Sequence, residues 1–301
     1  MLICSKTANR LETKKISHEQ TQNFFRDFSC LFVAKKMMQT EEAKIKVEKR
    51  GHLLLIGLNR PLKRNAFDQQ MLDELALAVT QLEDEADVRC GVIYAEGEMF
   101  TAGLDLANIA PAIAAGGKLA YPENSLDPLG LGGKRQRTKP LVAAVHGKAL
   151  TIGIELLLAT DVRIASENAT FAQIEIKRGI FPFGGATIRF PEIAGWGNAM
   201  RWLLTGDEFN AAEAFRIGLV QEIVPHGKHI ERAIEIAETI AAQAPLGVQA
   251  TIRSARQAQS EGFQAAADAL LPQVLELFKT EDAREGVQSF IERRAGNFTG
   301  R

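Results

Sequence analysis

The sequence predicts an α/β fold whose last third is helical. From residue 44 to about residue 185, short apolar runs that are typical of strands alternate with segments of helical periodicity. After Gly185 nearly every segment has helical spacing. The chain has 301 residues, 46% of them hydrophobic, which is enough to bury a sizeable core. Strands that alternate with helices indicate a layered α/β core, here followed by a helical region.

Residues 1–43 differ from the rest of the chain, because they are polar and show no sustained periodicity. Three interpretations are open for this segment. It is a disordered extension, or sequence upstream of a natural start at Met37 or Met38, or a targeting peptide. Its acidic residues count against a targeting peptide, since transit peptides contain few. We therefore divide the chain into this extension, a core over residues 44–240 and a C-terminal helical region over residues 241–301.

The core is predicted to begin with a β-hairpin. Residues 45–47 alternate between apolar and polar, and residues 52–58 form an apolar run after a turn. Asp68 then predicts the N-cap of a helix that extends to about Leu82. Residues 89–95 predict the next strand.

Residues 107–139 are rich in glycine and predict a mobile excursion with one or two short helices. They include a basic cluster at residues 134–137, which we interpret as a solvated face, with contact to an anionic ligand as the alternative. The following stretch predicts a strand at 141–145, a helix at 151–159, strands at 162–165 and near 170, and a turn around Glu175.

The C-terminal part is predicted to be almost entirely helical. One helix covers residues 198–204, and Asn210 followed by Glu213 predicts a capping box at the start of the next. A short strand is predicted at residues 222–224. Further helices are predicted at about 228–243, 247–260, 263–279 and 282–294, with Pro245, Gly247 and Gly262 as breaks.

Composition excludes several classes of function. The formal net charge of −1 gives no support for binding to nucleic acid or to an anionic membrane. The three cysteines are far apart, so we expect no disulfide framework, no metal site and a reducing compartment such as the cytoplasm. No apolar run reaches the ~20 residues of a membrane helix. The phosphate-loop, dinucleotide-binding and serine-hydrolase motifs are absent from the sequence, so we expect no nucleotide cofactor.

Two glutamates stand in apolar surroundings. Glu155 interrupts the apolar run from Ala149 to Ala159, and Glu175 lies between two isoleucines. A buried carboxylate is costly unless it is paired or protonated. The two glutamates are separated by a strand and a turn, which predicts that the fold brings them together. The alternatives are an ion pair at a helix for Glu155 and an exposed edge position for Glu175.

Two short segments are predicted to leave backbone N–H groups free. Residues 102–104 and residues 151–153 each lie where a strand or turn leads into a helix, and the first N–H groups of a helix have no acceptor within it. Two such groups that converge on one carbonyl oxygen form an oxyanion hole.

The order and spacing of these motifs resemble the enoyl-CoA hydratase (crotonase) family. The resemblance extends from about Lys44 to Arg301 and is carried by Asn59–Pro61 with Asn65-Ala66, Phe100–Leu106, Ala144–Gly147, Gly153–Glu155, Ala159–Asp161, Phe171–Glu175, Gly179–Pro182 with Gly184-Gly185, Leu204–Gly206, Ala211–Glu213, Gly218–Val220 and the segment from Glu281 to Phe298.

The resemblance implies a spiral of ββα turns and a C-terminal helical region that mediates trimerisation and covers the active site. It implies a homotrimer, or a hexamer built as a dimer of trimers, and a coenzyme A thioester as substrate. In such an enzyme the backbone N–H groups of Leu104 and Ile152 would hold the thioester oxygen. Glu155 would be the general base that activates water, and Glu175 would deliver a proton to the α-carbon.

The presence of both glutamates favours hydration of a trans-2-enoyl-CoA. The alternatives are an isomerase, a racemase or other enolate chemistry, and a catalytically silent binding protein, some relatives of which bind RNA. The residues implied in CoA binding are Arg64, Asn65, Ala66, Ala102, Asp105, Leu106, Ala107 and Arg293.

The sequence departs from the family pattern at three places. Thr151 and Ile152 replace part of a glycine-rich turn, Phe183 stands where a small residue is common, and residues 107–139 carry no clear signature of acyl length. We interpret His146 as a hydrogen-bonded structural residue and Asp161 as a residue that fixes the entry to a strand.

Overall fold

The structure is a computed structural model that describes residues 43–115, 121–132 and 135–301. The three interpretations of the N-terminal segment therefore concern residues outside the described part of the chain, and so does the prediction for Lys134.

The described chain contains nine strands and ten α-helices. The strands are β1 (Ile45–Arg50), β2 (Leu53–Leu58), β3 (Cys90–Ala95), β4 (Leu141–Val145), β5 (Lys148–Leu150), β6 (Val162–Ser166), β7 (Thr170–Ala172), β8 (Phe209–Asn210) and β9 (Glu222–Val224). The helices are α1 (Gln69–Asp84), α2 (Leu106–Ala114), α3 (Ile152–Leu158), α4 (Ala186–Ala194), α5 (Trp196–Thr205), α6 (Ala211–Arg216), α7 (His229–Ala241), α8 (Pro245–Glu261), α9 (Phe263–Leu277) and α10 (Glu281–Glu292). Two 3₁₀ helices cover Pro61–Lys63 and Ile174–Arg178.

The strands form two sheets. The larger sheet has the order β1-β2-β3-β4-β6-β9, in which β1 is antiparallel to β2 and the other neighbours are parallel. The smaller sheet has the order β5-β7-β8, with β5 parallel to β7 and β8 antiparallel to it. Because β4 and β5 are separated only by residues 146 and 147, the chain passes directly from one sheet to the other.

Helices cover both faces of the large sheet. Successive residues of β2 point to opposite faces and all six are buried, as expected for a strand that is covered on both sides. Ile56 and its neighbours on one face belong to a core cluster that includes residues of α1, and Leu55 on the other face clusters with Ala233 and Ala237 of α7. The sheet is therefore the middle layer of the core.

Most element predictions are confirmed. The first hairpin forms, and Asp68 caps α1 by accepting a hydrogen bond from the Met71 N–H at 3.0 Å. Asn210 caps α6 by accepting from the Glu213 N–H, and α2 is a short helix within the predicted excursion.

The predicted break between the helices on either side of Pro245 is confirmed, but it lies at residues 242–244 and not at Pro245 and Gly247. Pro245 is the first residue of α8, a position where a proline is tolerated because the missing N–H would have no partner within the helix. Gly247 lies inside the same helix. The break at Gly262 is confirmed, with φ of +89° between α8 and α9. Within the described residues, no helix is both long enough and apolar enough to span a bilayer.

Candidate active site

Strand register places the two predicted N–H segments side by side. Thr101 pairs with Ala149 in a parallel bridge, in which the Thr101 N–H donates to the Lys148 carbonyl at 3.0 Å. Two residues further along both segments, Gly103 faces Thr151, and a Cβ atom on Gly103 would overlap the Thr151 hydroxyl oxygen. Only glycine fits there, since φ at Gly103 is +102°.

The N–H groups of Leu104 and Ile152 have no hydrogen-bond acceptor within the described chain, whereas the groups around them do. The Gly103 N–H donates to the Thr101 hydroxyl, and the Asp105 N–H donates to the Phe67 carbonyl. Ile152 is the first residue of α3, so its N–H is one that a helix leaves unbonded. The structure thus brings the two predicted donors together and leaves both free.

Glu155 is buried in the first turn of α3, with 4% of its surface exposed. Its carboxylate accepts hydrogen bonds from the N–H groups of Gly184 at 2.5 Å and Ala186 at 3.4 Å. Burial raises the pKa of Glu155 to about 7, and these two hydrogen bonds and the charge of Arg189 act in the opposite direction. Among the described residues no cation forms an ion pair with Glu155, so the ion-pair alternative is wrong.

Glu175 lies in the 3₁₀ helix that follows β7. Because β5 pairs with β7, the chain enters this helix beside the start of α3, and the Thr151 N–H donates to the Ala172 carbonyl. Glu175 is 7% exposed, so the alternative of an exposed edge position is wrong. Burial raises its pKa to about 7, and the negative charge of Glu155 acts in the same direction. The fold therefore places the Glu175 carboxyl group within the electrostatic influence of Glu155.

Gln173 is a polar residue of this site that the sequence reasoning missed. Its side chain is fully buried. In the amide orientation that satisfies its hydrogen bonds, the nitrogen donates to both carboxylate oxygens of Glu175 at 3.0 Å and to the Thr151 carbonyl at 3.2 Å. Gln173 lies two residues before Glu175 in a segment that follows a strand. Side chains two residues apart in extended backbone point to the same side, and this spacing is the sequence signal that could have indicated the contact.

Thr151 is strained. Its backbone has φ of +52° and ψ of −116°, a combination that is unusual for a β-branched residue. Its hydroxyl oxygen is buried and has no hydrogen-bond partner among the described residues. Backbone strain of this kind costs about 1–3 kcal/mol and is concentrated at functional sites. Thr151, which stands where the family has part of a glycine-rich turn, therefore lowers the stability of the fold. The strained residue lies next to the two free N–H groups.

Replacing Thr151 with glycine is expected to raise the free energy of unfolding by about 1 kcal/mol, since the relieved strain exceeds the added entropy of the unfolded chain. Urea unfolding measures this change. Thr151→Ser is the control, because serine has a Cβ atom and therefore does not relieve the backbone strain. Equal stability of the glycine and serine variants would contradict the strain argument.

Seven of the eight predicted CoA-binding residues lie close to Leu104 in the fold. The Ala102 N–H donates to the Arg64 carbonyl at 2.9 Å, and the Thr101 hydroxyl donates to the Asn65 carbonyl at 2.6 Å. Ala66 and Asp105 are joined through the guanidinium of Arg60, and Leu106 and Ala107 begin α2.

Two of the eight predicted CoA-binding residues, Asn65 and Arg293, have structural roles in the described chain. The buried side chain of Asn65 accepts from the Arg60 N–H and donates to the Glu96 and Met99 carbonyls, so it fixes the loop. Arg293 is the exposed C-cap of α10, with φ of +52°. No hydrogen bond joins it to the Arg64 segment in the described chain.

The structural interpretations of His146 and Asp161 are confirmed. His146 contacts the Gly97 carbonyl through Nε2 at 2.9 Å and the buried His229 through Nδ1 at 3.1 Å. The Asp161 carboxylate accepts from the N–H of Leu141, the first residue of β4, at 2.7 Å.

The order of elements and the two sheets define a crotonase-type α/β fold. A probable enoyl-CoA hydratase/isomerase from Mycobacterium abscessus superposes with a TM-score of 0.83 at 59% identity, over 86% of this chain and 99% of that one. An enoyl-CoA hydratase structure from Mycobacterium tuberculosis H37Rv superposes with a TM-score of 0.77 at 34% identity, over 86% of this chain and all of that one.

Residues 48–301 match the family model described as enoyl-CoA hydratase/isomerase, and the chain belongs to that family. It is 37% identical over 262 residues to the enoyl-CoA hydratase EchA19 of Mycobacterium tuberculosis, which spans 85% of this chain and 96% of that protein. It is 34% identical over 259 residues to the 2,3-dehydroadipyl-CoA hydratase of Escherichia coli, which spans 85% of this chain and 98% of that protein.

Proposed function

We propose that the protein is an enoyl-CoA hydratase, a hydro-lyase that adds water across the trans-2 double bond of an enoyl-CoA thioester. The observation that carries this proposal is the pair of buried, electrostatically coupled carboxyl groups of Glu155 and Glu175 near two unbonded backbone N–H groups. The relatives named as an enoyl-CoA hydratase and as a 2,3-dehydroadipyl-CoA hydratase support it.

The N–H groups of Leu104 and Ile152 would donate to the thioester oxygen. Donation to this oxygen draws electron density from the double bond, which makes the β-carbon electrophilic. The same two donors stabilise the negative charge of the enolate that forms when water attacks. They need no reorganisation during the reaction, since neither is committed to a bond of the fold.

Glu155 and Glu175 would divide the two proton transfers. Glu155, ionised and held by the Gly184 N–H, takes a proton from the water that attacks the β-carbon. Glu175 keeps its proton because it is buried near the charge of Glu155, and it donates that proton to the α-carbon. The product gains one hydroxyl group and one hydrogen, and the carboxyl pair returns to its starting state after one proton moves between the two groups.

We infer that the CoA part of the substrate lies along the segments of Arg64 and Asp105, which border the first donor. No separate cofactor or metal is proposed. Arg293 would reach the CoA phosphates of a neighbouring subunit in a homotrimer or hexamer. Large apolar side chains on the surface of the C-terminal helices, such as Phe263 and Phe290 at 83% and 85% exposure, support such an assembly. We place the enzyme in the cytoplasm, in fatty-acid β-oxidation.

Hydration of crotonyl-CoA tests the proposed function. The absorbance of the enoyl thioester should fall with time. The amount of 3-hydroxybutyryl-CoA formed should equal the amount of crotonyl-CoA consumed. Crotonyl-CoA and a longer trans-2-enoyl-CoA are both assayed, so that hydration is detected whether the site accepts a short or a long acyl chain. Isomerisation of a 3-enoyl-CoA without hydration of either substrate would favour the isomerase instead.

The hydration rate is expected to depend on pH as a bell with its maximum near pH 7, because the pKa values of Glu155 and Glu175 are both raised to about 7. At low pH both groups are protonated and the base is lost. At high pH both are ionised and the proton donor is lost. Measuring kcat/KM from about pH 5 to about pH 9 tests this, and a flat profile would contradict it.

A further inference from the structure

A cavity of about 540 Å³ lies between the core and α8, apart from the candidate active site. Neither glutamate lines it, and neither do Leu104 and Ile152. Its walls come from α4, α8, residues 127–130, residues 135–137 and residues 158–163. The apolar side chains of the walls include Ile188, Ile193 and Ile252. Its volume suits a small organic molecule.

Five arginines and three acidic residues line this cavity, so its formal charge is +2. Arg135 is neutralised from outside the cavity by Asp84. The other four, Arg137, Arg163, Arg189 and Arg256, come from segments far apart in the sequence. Their convergence is therefore a product of the fold.

The acidic residues of the cavity compensate part of this charge. The Asp127 carboxylate is occupied by the N–H groups of Leu129, Leu131 and Gly132 at 2.8–3.1 Å. Asp161 is shared between Arg137 at 2.7 Å and Arg256 at 3.4 Å. Glu192, the third acidic residue, is exposed.

Two of the arginines have only neutral hydrogen-bond partners in the described chain. The Arg189 guanidinium donates to the Leu129 and Gly130 carbonyls at 2.7 and 3.0 Å. Arg163 is buried and donates to the Thr160 and Leu219 carbonyls. Burial lowers the pKa of both Arg189 and Arg256. At Arg189 the charges of Asp127, Glu192 and Glu155 oppose this effect, whereas at Arg256 the charge of Arg137 adds to it.

We propose that this cavity binds an organic anion, a carboxylate or a phosphate ester on a short apolar body. The anion would lie against the guanidinium groups of Arg189 and Arg256, each of which donates two hydrogen bonds to the fold and keeps three of its five N–H donors for a ligand. Its apolar part would contact the isoleucine side chains of the walls. An anion here would offset the formal charge of +1 that remains when Asp84 and the three acidic residues of the cavity are set against its five arginines.

Isothermal titration of the intact protein in low-salt buffer tests this site. The probes are hexanoate and hexyl phosphate, which distinguish a carboxylate from a phosphate ester, and hexanol is the neutral control. We expect at least one of the two anions to bind and hexanol not to bind. Binding of neither anion, or equal binding of hexanol, would overturn the proposal.

Variants on α8 assign the binding to the cavity. Arg256→Met is expected to weaken Kd for the binding probe at least tenfold, whereas Arg253→Met, at an exposed position of the same helix that does not line the cavity, should leave it unchanged. Arg256→Lys keeps the positive charge but loses the planar guanidinium group, so its Kd should lie between the Kd of Arg256→Met and that of Arg253→Met. Glu175→Gln, in the candidate active site, should bind the probe as the wild type does. An unchanged Kd in both Arg256 variants, or a loss of binding in Glu175→Gln, would overturn the assignment.

Discussion

Replacing Glu155 with glutamine is expected to lower kcat for hydration of crotonyl-CoA by about 10²–10⁴-fold, the usual contribution of a positioned acid or base. Glutamine has nearly the size of glutamate, and its carbonyl oxygen can still accept from the Gly184 and Ala186 N–H groups. It cannot take a proton from water. The variant should therefore fold with a Tm at least as high as that of the wild type, because the cost of burying a carboxylate is removed.

Steady-state kinetics and thermal unfolding of the same preparations measure both effects. Glu238→Gln is the matched control, since this glutamate is exposed on α7 and should retain full activity. The double variant Glu155→Gln/Glu175→Gln should lose little more activity than Glu155→Gln, because groups that act as a unit are strongly non-additive. A kcat for Glu155→Gln close to that of the wild type would rule out the assigned base.

Local signals were sufficient for much of the fold. Asp68 before an amphipathic run predicts α1, and the run from Leu53 to Leu58 predicts a buried strand, because capping and burial depend on neighbouring residues. The sequence predicts the break between α7 and α8 but not its exact position, because proline suits the first turn of a helix, where Pro245 lies, as well as the end of one.

The candidate site could be predicted only in part. A carboxylate within an apolar run is visible in the sequence, so Glu155 and Glu175 were found. Their partners were not, because the Gly184 N–H reaches Glu155 across 29 residues and the orientation of Gln173 depends on the pairing of β5 with β7. Arg135 and Arg137 of the cavity belong to the basic cluster that is visible in the sequence. The convergence of the other three arginines on them has no sequence signature, because these residues share neither a helix face nor a spacing.

The second large effect is expected at Ile152, where the proposed chemistry uses a backbone atom. Replacing the Ile152 amide with an ester, through incorporation of the α-hydroxy analogue, removes the N–H and keeps the side chain. Kinetics should show kcat/KM lower by about 10²–10³-fold, which corresponds to the ~2.7–4 kcal/mol that one oxyanion donor contributes. The lost N–H itself should cost no stability, because it makes no hydrogen bond in the described fold. The ester also makes the Thr151 carbonyl a weaker acceptor for the Ile154 N–H, so we expect a small loss of stability.

Two controls separate the N–H group from its surroundings. Ile152→Ala keeps the N–H and removes most of the side chain, so kcat/KM should fall far less than in the ester variant. An ester at Ile154 removes an N–H that is bonded to the Thr151 carbonyl at 2.9 Å, so it should lower stability more than the ester at Ile152 does. If the Ile152 ester were as active as the wild type, the thioester oxygen would have to be held elsewhere. The free N–H at the start of α3 would then be only a consequence of helix geometry.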